Sequence, residues 1–211
     1  MKVAEGNPSI RKLRKWKKQR AERGFSDYDV YNIDYWFLSI IPEMLDELIK
    51  HNEGFPSFLE EEYYEENNLN LSKISDSKRR EILSICLNKW RNILTEMRDA
   101  FKEAKEDSCS YKNKYEEEYD SLYEKFFRVY GHSGEKLKDN VKEEYIKNEK
   151  GKVIETYYSP IKKYKFQDVS EENKRISDLY HKEEKKIEGY RESNRKKALE
   201  MFSKYLENLW W

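Results

Sequence analysis

Apolar residues recur at three- and four-residue steps in four stretches of the chain, separated by long polar intervals. The first stretch runs through Val30, Ile33, Phe37, Ile40, Ile41, Met44, Leu45 and Leu48, a spacing that sets all of them on one side of an α-helix. Ser26 and Asp29 stand where a capping box would open that helix over residues 26–50. Pro42 falls inside the pattern and removes one backbone donor, so a kink or division is expected near Ile40. A second stripe, Ile82, Cys86, Trp90, Ile93, Met97 and Phe101, predicts a helix over 76–102. The third has about one ring per turn, with Tyr111, Tyr115, Tyr119, Leu122, Phe126 and Tyr130 ending at Gly131; amphipathic rings of this kind suit a thin helical seam with hydroxyls at its rim. The last helix is expected from Ser170 to the end. Its apolar positions are sparse at Ile176, Tyr180, Ile187 and Tyr190, then dense at Ala198, Leu199, Phe202, Leu206, Leu209 and Trp210. The dense turns therefore belong to the main core, and the sparse ones pack elsewhere, against the tyrosine seam.

Weaker signals fill the gaps. Ser9 can cap a short helix over 10–23 with Ile10, Leu13 and Trp16 as a thin apolar edge and Gly24 as its stop. Residues 51–74 read mostly as loop. Val153 to Tyr158 is rich in β-formers, and Asn148-Glu149-Lys150-Gly151 before it is a turn that would pair it with Glu144 to Lys147, followed by an extended stretch over 160–169. The fold class is mainly α: a compact helical core of three main helices, a projecting helical insertion and one small β-hairpin. Its divisions are a basic arm over 1–24, a core over 25–102 plus 191–211, and an insertion over 103–190. Phe37, Ile41, Trp90, Met97, Phe202, Leu206 and Trp210 are the expected core.

Composition sharpens this picture. Charged residues make up 40% of the chain, yet aromatics reach 15% with 17 Tyr, which points to narrow apolar seams between solvated faces rather than disorder. Net charge is zero, but residues 1–24 carry +7 and the remainder −7. Arg11, Arg14, Lys15 and Lys18 of that arm are candidate contacts for an acidic protein, for nucleic-acid phosphate, or for the chain's own acidic run from Glu60 to Glu66. Two cysteines are too few for a disulfide framework, and Cys86 on its stripe reads as packing. No apolar run approaches the ~20 residues that span a bilayer, and the basic N-terminus lacks the apolar segment of a secretory signal; a soluble protein with no membrane partner is expected.

Candidate chemistry is thin. Asp34, seven residues after Asp27, would share its side of the helix, among apolar neighbours, where a carboxylate needs a cation or a ligand. Arg91 and Lys204 are the structural candidates; a ligand pocket formed with Asp27, or plain exposure, are the alternatives. His51, His132 and His181 are scattered, and Asp178, His181 and Glu184 form a single local set without the second copy a di-metal bundle requires, so no metal and no cofactor is expected. No Gly-x-Ser-x-Gly, phosphate-cradling glycine loop or paired Cys and His context is present, which argues against the common enzyme classes. Of the terminal Trp210-Trp211 pair, one ring belongs to the core and the other, Trp211, to the surface or the wall of a pocket.

Three blocks resemble an uncharacterised family of tailed-bacteriophage proteins: Gly24-Phe25-Ser26-Asp27-x-Asp29-x-Tyr31-x-Ile33-Asp34, Trp90-x-x-Ile93-Leu94-x-x-Met97-x-x-Ala100-Phe101, and Ala198-Leu199-x-Met201-Phe202-x-Lys204-Tyr205-x-x-x-Leu209-Trp210. The resemblance implies a viral origin and expression in the cytoplasm of a bacterial host, and carries no activity with it. The expected function is a non-enzymatic accessory protein that binds and modulates a host protein. The alternatives are a nucleotide signal held among rings and basic groups, or nucleic acid bound by the N-terminal helix; a homodimer is among the expected states.

Overall fold

Two side-chain N-caps, the second of them reciprocal, organise the start of the chain. The computed structural model describes residues 9–70, 72, 74–131, 141–147, 149, 151–160 and 164–210. Ser9 accepts from the Lys12 amide at 3.4 Å and opens α1, Ile10–Arg23. Gly24 closes it at φ 81°, donating its N–H to the Arg20 carbonyl, a left-handed conformation that glycine adopts without steric cost. Ser26 and Asp29 form the expected capping box and open α2, Asp27–Tyr31. The chain then breaks at Asn32 (φ −124°, ψ 53°), and α3, Ile33–His51, continues through Pro42. The division thus lies ten residues before the proline. Asparagine competes for backbone partners and favours helix boundaries, whereas Pro42 is buried, so its packing offsets the lost donor.

Residues read as loop contain a further helix, α4, Phe58–Glu66, which buries Leu59 and Tyr64. It is only nine residues long and mostly glutamate and aromatic, too short for a periodic signal. α5, Asp76–Ala104, is capped by Ser75 and is the most completely covered element, with Ile82, Cys86, Trp90, Leu94, Met97 and Phe101 all at 1% exposure or less. The Cys86 thiol donates to the Leu59 carbonyl at 3.5 Å, and burial raises its pKa, as befits a packing cysteine.

The chain divides into two compact units, Met1–Ser110 with Arg191–Trp211, and Tyr111–Tyr190. In the first, the three apolar stretches meet in one core. The rings of Phe37, Phe101 and Phe202 contact one another edge to face at 5.8–5.9 Å, and Trp90 meets Tyr205 at 5.6 Å. Ionic contacts set the register of α3 on α5: Asp46 accepts from Arg98 at 2.9 Å and Lys102 at 2.8 Å, and Arg91 donates to the Asn52 carbonyl at the end of α3. Bonding to Lys102 and then Arg98 lowers the pKa of Asp46.

The second unit begins its helix later than the tyrosine spacing suggests. α6 spans Glu116–Tyr130 because Asn113 accepts from the Tyr115 amide at 3.0 Å, a local turn, while donating to the Tyr180 carbonyl and Glu184. The Tyr111 hydroxyl bonds Glu183 at 3.0 Å. The hairpin is present: β1, Val141–Lys147, pairs antiparallel with β2, Val153–Pro160, placing Tyr145 opposite Thr156. Where an extended segment is expected, Phe166–Val169 forms a short helix, α7, that brings Phe166 onto Leu122, Phe126 and Ile176. α8, Glu171–Tyr205, followed by a 3-10 turn at Leu206–Asn208, begins here and ends in the other unit. Tyr119 stacks on Tyr180 at 4.2 Å, so the seam and the sparse part of the last helix do pack together.

Candidate functional site

An apolar helix side normally finds cover in its own chain, and one side of α3 does not. Val30 of α2 and Ile33 and Met44 of α3 are 54%, 64% and 61% exposed. Ile33, Phe37, Ile40, Met44 and Leu48 lie on one helix face by spacing, so the open residues border the buried ones. At the far end of α3 this border widens into a groove of about 480 Å³. Ile41, Met44, Leu45 and Leu48 form one wall, and Phe202, Leu206, Leu209 and Trp210 from the end of the chain form the other. Leu206 and Trp210 are 55% and 63% exposed. They were expected in the core; the 3-10 turn after Tyr205 takes the chain off the helical spacing, and they become a groove wall instead. Exposed carboxylates neighbour these lining residues along the chain. Glu43 and Glu47 flank Met44 on α3, and Glu207 follows Leu206, all exposed; Glu47 is bonded by Lys50 at 2.5 Å.

The basic helix is the second feature of the same unit. One face of α1 is clamped to α2. Asp27 accepts from Lys15 at 2.8 Å, Gln19 at 2.8 Å and Arg23 at 2.5 Å, and Arg20 pairs with Asp29 through both carboxylate oxygens. The Trp16 ring lies on Tyr28 at 4.7 Å. Hydrogen bonds from Gln19, Lys15 and Arg23 hold the Asp27 carboxyl well below the usual range, and the Arg20 guanidinium, with Ser26, lowers buried Asp29 to about 2. Arg11, Lys12, Arg14 and Lys17 make no side-chain ion pair among the described residues, and Lys18 has only Glu22 at 3.5 Å.

The residues singled out in sequence thus separate. Lys15 and Asp27 bond each other and hold α1 in place, while Arg11, Arg14 and Lys18 face outward. Asp34 is exposed and takes part in no ion pair among the described residues. The break at Asn32 removes the single helix on which Asp34 and Asp27 would have shared a side; Asp34 instead sits in the first turn of α3, where a carboxylate opposes the helix dipole favourably. Its expected pinning role belongs to Asp46, and its expected partners are engaged elsewhere, Arg91 at Asn52 and Lys204 over the Tyr205 ring. Self-docking of the basic arm occurs on Asp27 and Asp29 rather than on the Glu60 to Glu66 run, whose Glu62 pairs with Lys89. Trp211 and His132 lie outside the described residues. Of the other expected core residues, Trp90 and Met97 are fully buried, whereas Phe37 and Ile41 are half-buried and pack against the core.

Among the described residues, no group of three His, Cys, Asp or Glu side chains is arranged to hold a metal ion, and no helix is long and apolar enough to cross a membrane. Glu184 of the one local histidine set bonds Asn113, and His181 lies edge-on to Tyr119 and Tyr180. No protein-family model matches this chain, and neither a curated protein nor a solved structure matches it.

Proposed function

We propose that the protein is a non-enzymatic binding module whose groove receives an amphipathic helix of a partner protein, and, following its resemblance to tailed-phage proteins, that this partner belongs to the bacterial host. The carrying observation is the open apolar groove in which Met44, Leu206 and Trp210 stay exposed. Apolar patches of this kind mark interaction sites, and a helix lays aliphatic anchors at i, i+3 and i+4 into such a groove. Exposed Glu43, Glu47 and Glu207, next to lining residues in the chain, favour a helix flanked by Lys or Arg. The lining contains no Arg or Lys to neutralise a phosphate, which favours a protein over a nucleotide as occupant.

Fluorescence anisotropy with two synthetic amphipathic helices, identical in their aliphatic anchors but flanked by Lys or by Glu, tests the reading. The Lys-flanked peptide binds, and Met44→Glu with Leu206→Glu removes that binding. Equal binding of both peptides, or binding indifferent to the two substitutions, sinks it. Host lysate passed over wild type and the double variant then identifies the target as the protein retained by the first alone.

A further inference from the structure

The chain itself carries a helix of the kind its groove selects. The second half of α1 is held on α2 through Lys15, Trp16, Arg20 and Arg23, whereas its first turns stay exposed among the described residues. Ile10 and Leu13, three residues apart and hence on one face, are 70% and 49% exposed, and Arg11, Lys12 and Arg14 beside them have no ion-pair partner among the described residues. This end of α1 offers two aliphatic anchors with three cations; the groove offers an apolar lining, with exposed Glu43, Glu47 and Glu207 next to lining residues in the chain. Chemically the two surfaces are complementary. Within one copy they do not meet: α1 is anchored on α2, ahead of the first residue of α3, whereas the groove opens at Met44 to Leu48, about 17–23 Å further along that helix at 1.5 Å per residue.

Building on the helix-binding role just proposed, we infer that the first turns of α1 of one copy fill the groove of a second copy, so that the chain forms a twofold dimer that closes its own binding grooves. Two copies of α3 laid antiparallel bring the N-terminal end of each against the groove end of the other. A single twofold axis then forms both α1-to-groove contacts, and the pair closes instead of propagating into a fibre. The same register sets exposed Ile33 of one copy opposite exposed Met44 of its partner, covering the open apolar edge that a single copy leaves in water. A partner's helix must displace α1, so dimerisation lowers the apparent affinity for that partner by the fraction of grooves already occupied.

Charge exchange tests this directly. One variant carries Arg11→Glu, Lys12→Glu and Arg14→Glu; the other carries Glu43→Lys, Glu47→Lys and Glu207→Lys. By light scattering, wild type has twice the chain mass, each variant alone has the single mass, and an equal mixture returns to the double mass, because each acidic helix then meets a basic groove and each basic helix an acidic one. Recovery in the mixture also shows that both variants are folded. A monomeric wild type, or a dimer that survives either set of changes, overturns the inference. A peptide of residues 9–24 added to the first variant separates this result from the groove reading: binding that falls about tenfold or more, about 1.4 kcal/mol, with Met44→Glu leaves the groove reading intact even if wild type is monomeric. Failure of that peptide to bind, with a monomeric wild type, removes both.

Discussion

α5 and α3 lie against each other with sequence patterns of the same kind, and their fates differ. On α5, Ile82, Cys86, Trp90, Leu94, Met97 and Phe101 are sealed and Ile93 is half-buried, because α3, α4 and the end of α8 each cover part of the stripe. On α3 only one edge is sealed, at Leu45 and Leu48, while Ile33 and Met44 remain in water. Periodicity reports which side of a helix is apolar. Whether anything covers that side depends on how many neighbours reach it, and on α3 those neighbours, α5 and the chain end, leave Ile33 and Met44 exposed.

Substitutions along the two helices should differ accordingly, and the largest loss belongs to the sealed one. Trp90→Ala empties a fully buried site against Tyr205 and is expected to cost about 3–5 kcal/mol in urea unfolding; a cost below about 1 kcal/mol would mean that the α5 face is not the centre of the core. Next is the ionic pin between the helices. Asp46→Asn removes the charge that Arg98 and Lys102 share, with an expected loss of about 1.5–3 kcal/mol, and high salt should shrink the difference between variant and wild type.

A smaller and more local effect is expected at the α1 clamp. Asp29→Ala takes away the capping box and the partner of Arg20, about 1–2 kcal/mol of local stability, seen as faster proteolysis within residues 10–23 and a change in Trp16 fluorescence while α5 stays protected. The same contact titrates. The Asp29 pKa is lowered from 3.8 to about 2, so its contribution is present in full above the unfolded value and is lost as pH falls from about 4 towards 2. Release of α1 over that interval, absent in Asp29→Ala, is the expected signature. The smallest effect is on the open edge: Met44→Ser should change the stability of a single copy by no more than about 0.5 kcal/mol, yet weaken binding at the groove. A loss comparable to that of Trp90→Ala would show that Met44 is covered after all, and the contrast between the two helices would fail.

Much of the fold was legible in the chain. Ser9 with Gly24, and Ser26 with Asp29, are caps whose chemistry is local, so residue identity alone implied them. The stripe of α5 was readable because a 29-residue helix repeats its pattern many times, and the hairpin because its turn and its β-formers are adjacent. α4 was not readable: nine residues repeat nothing, and Leu59 and Tyr64 acquire meaning only from the α5 surface they cover. Asp34 was misplaced for a related reason, since one residue, Asn32, leaves the helical conformation and divides α2 from α3.

The binding surface divides along the same line. Sequence determined its ingredients, a surplus of apolar positions on α3 and at the chain end and a cluster of cations on α1, because these are properties of residue type and spacing. Tertiary structure decided which of them stay open. Lys15, Arg20 and Arg23 are consumed by Asp27 and Asp29, Phe37 and Phe202 by each other and Phe101, and what remains uncovered at Met44, Leu206 and Trp210 is set by contacts between segments more than 150 residues apart in the chain, which no local pattern records.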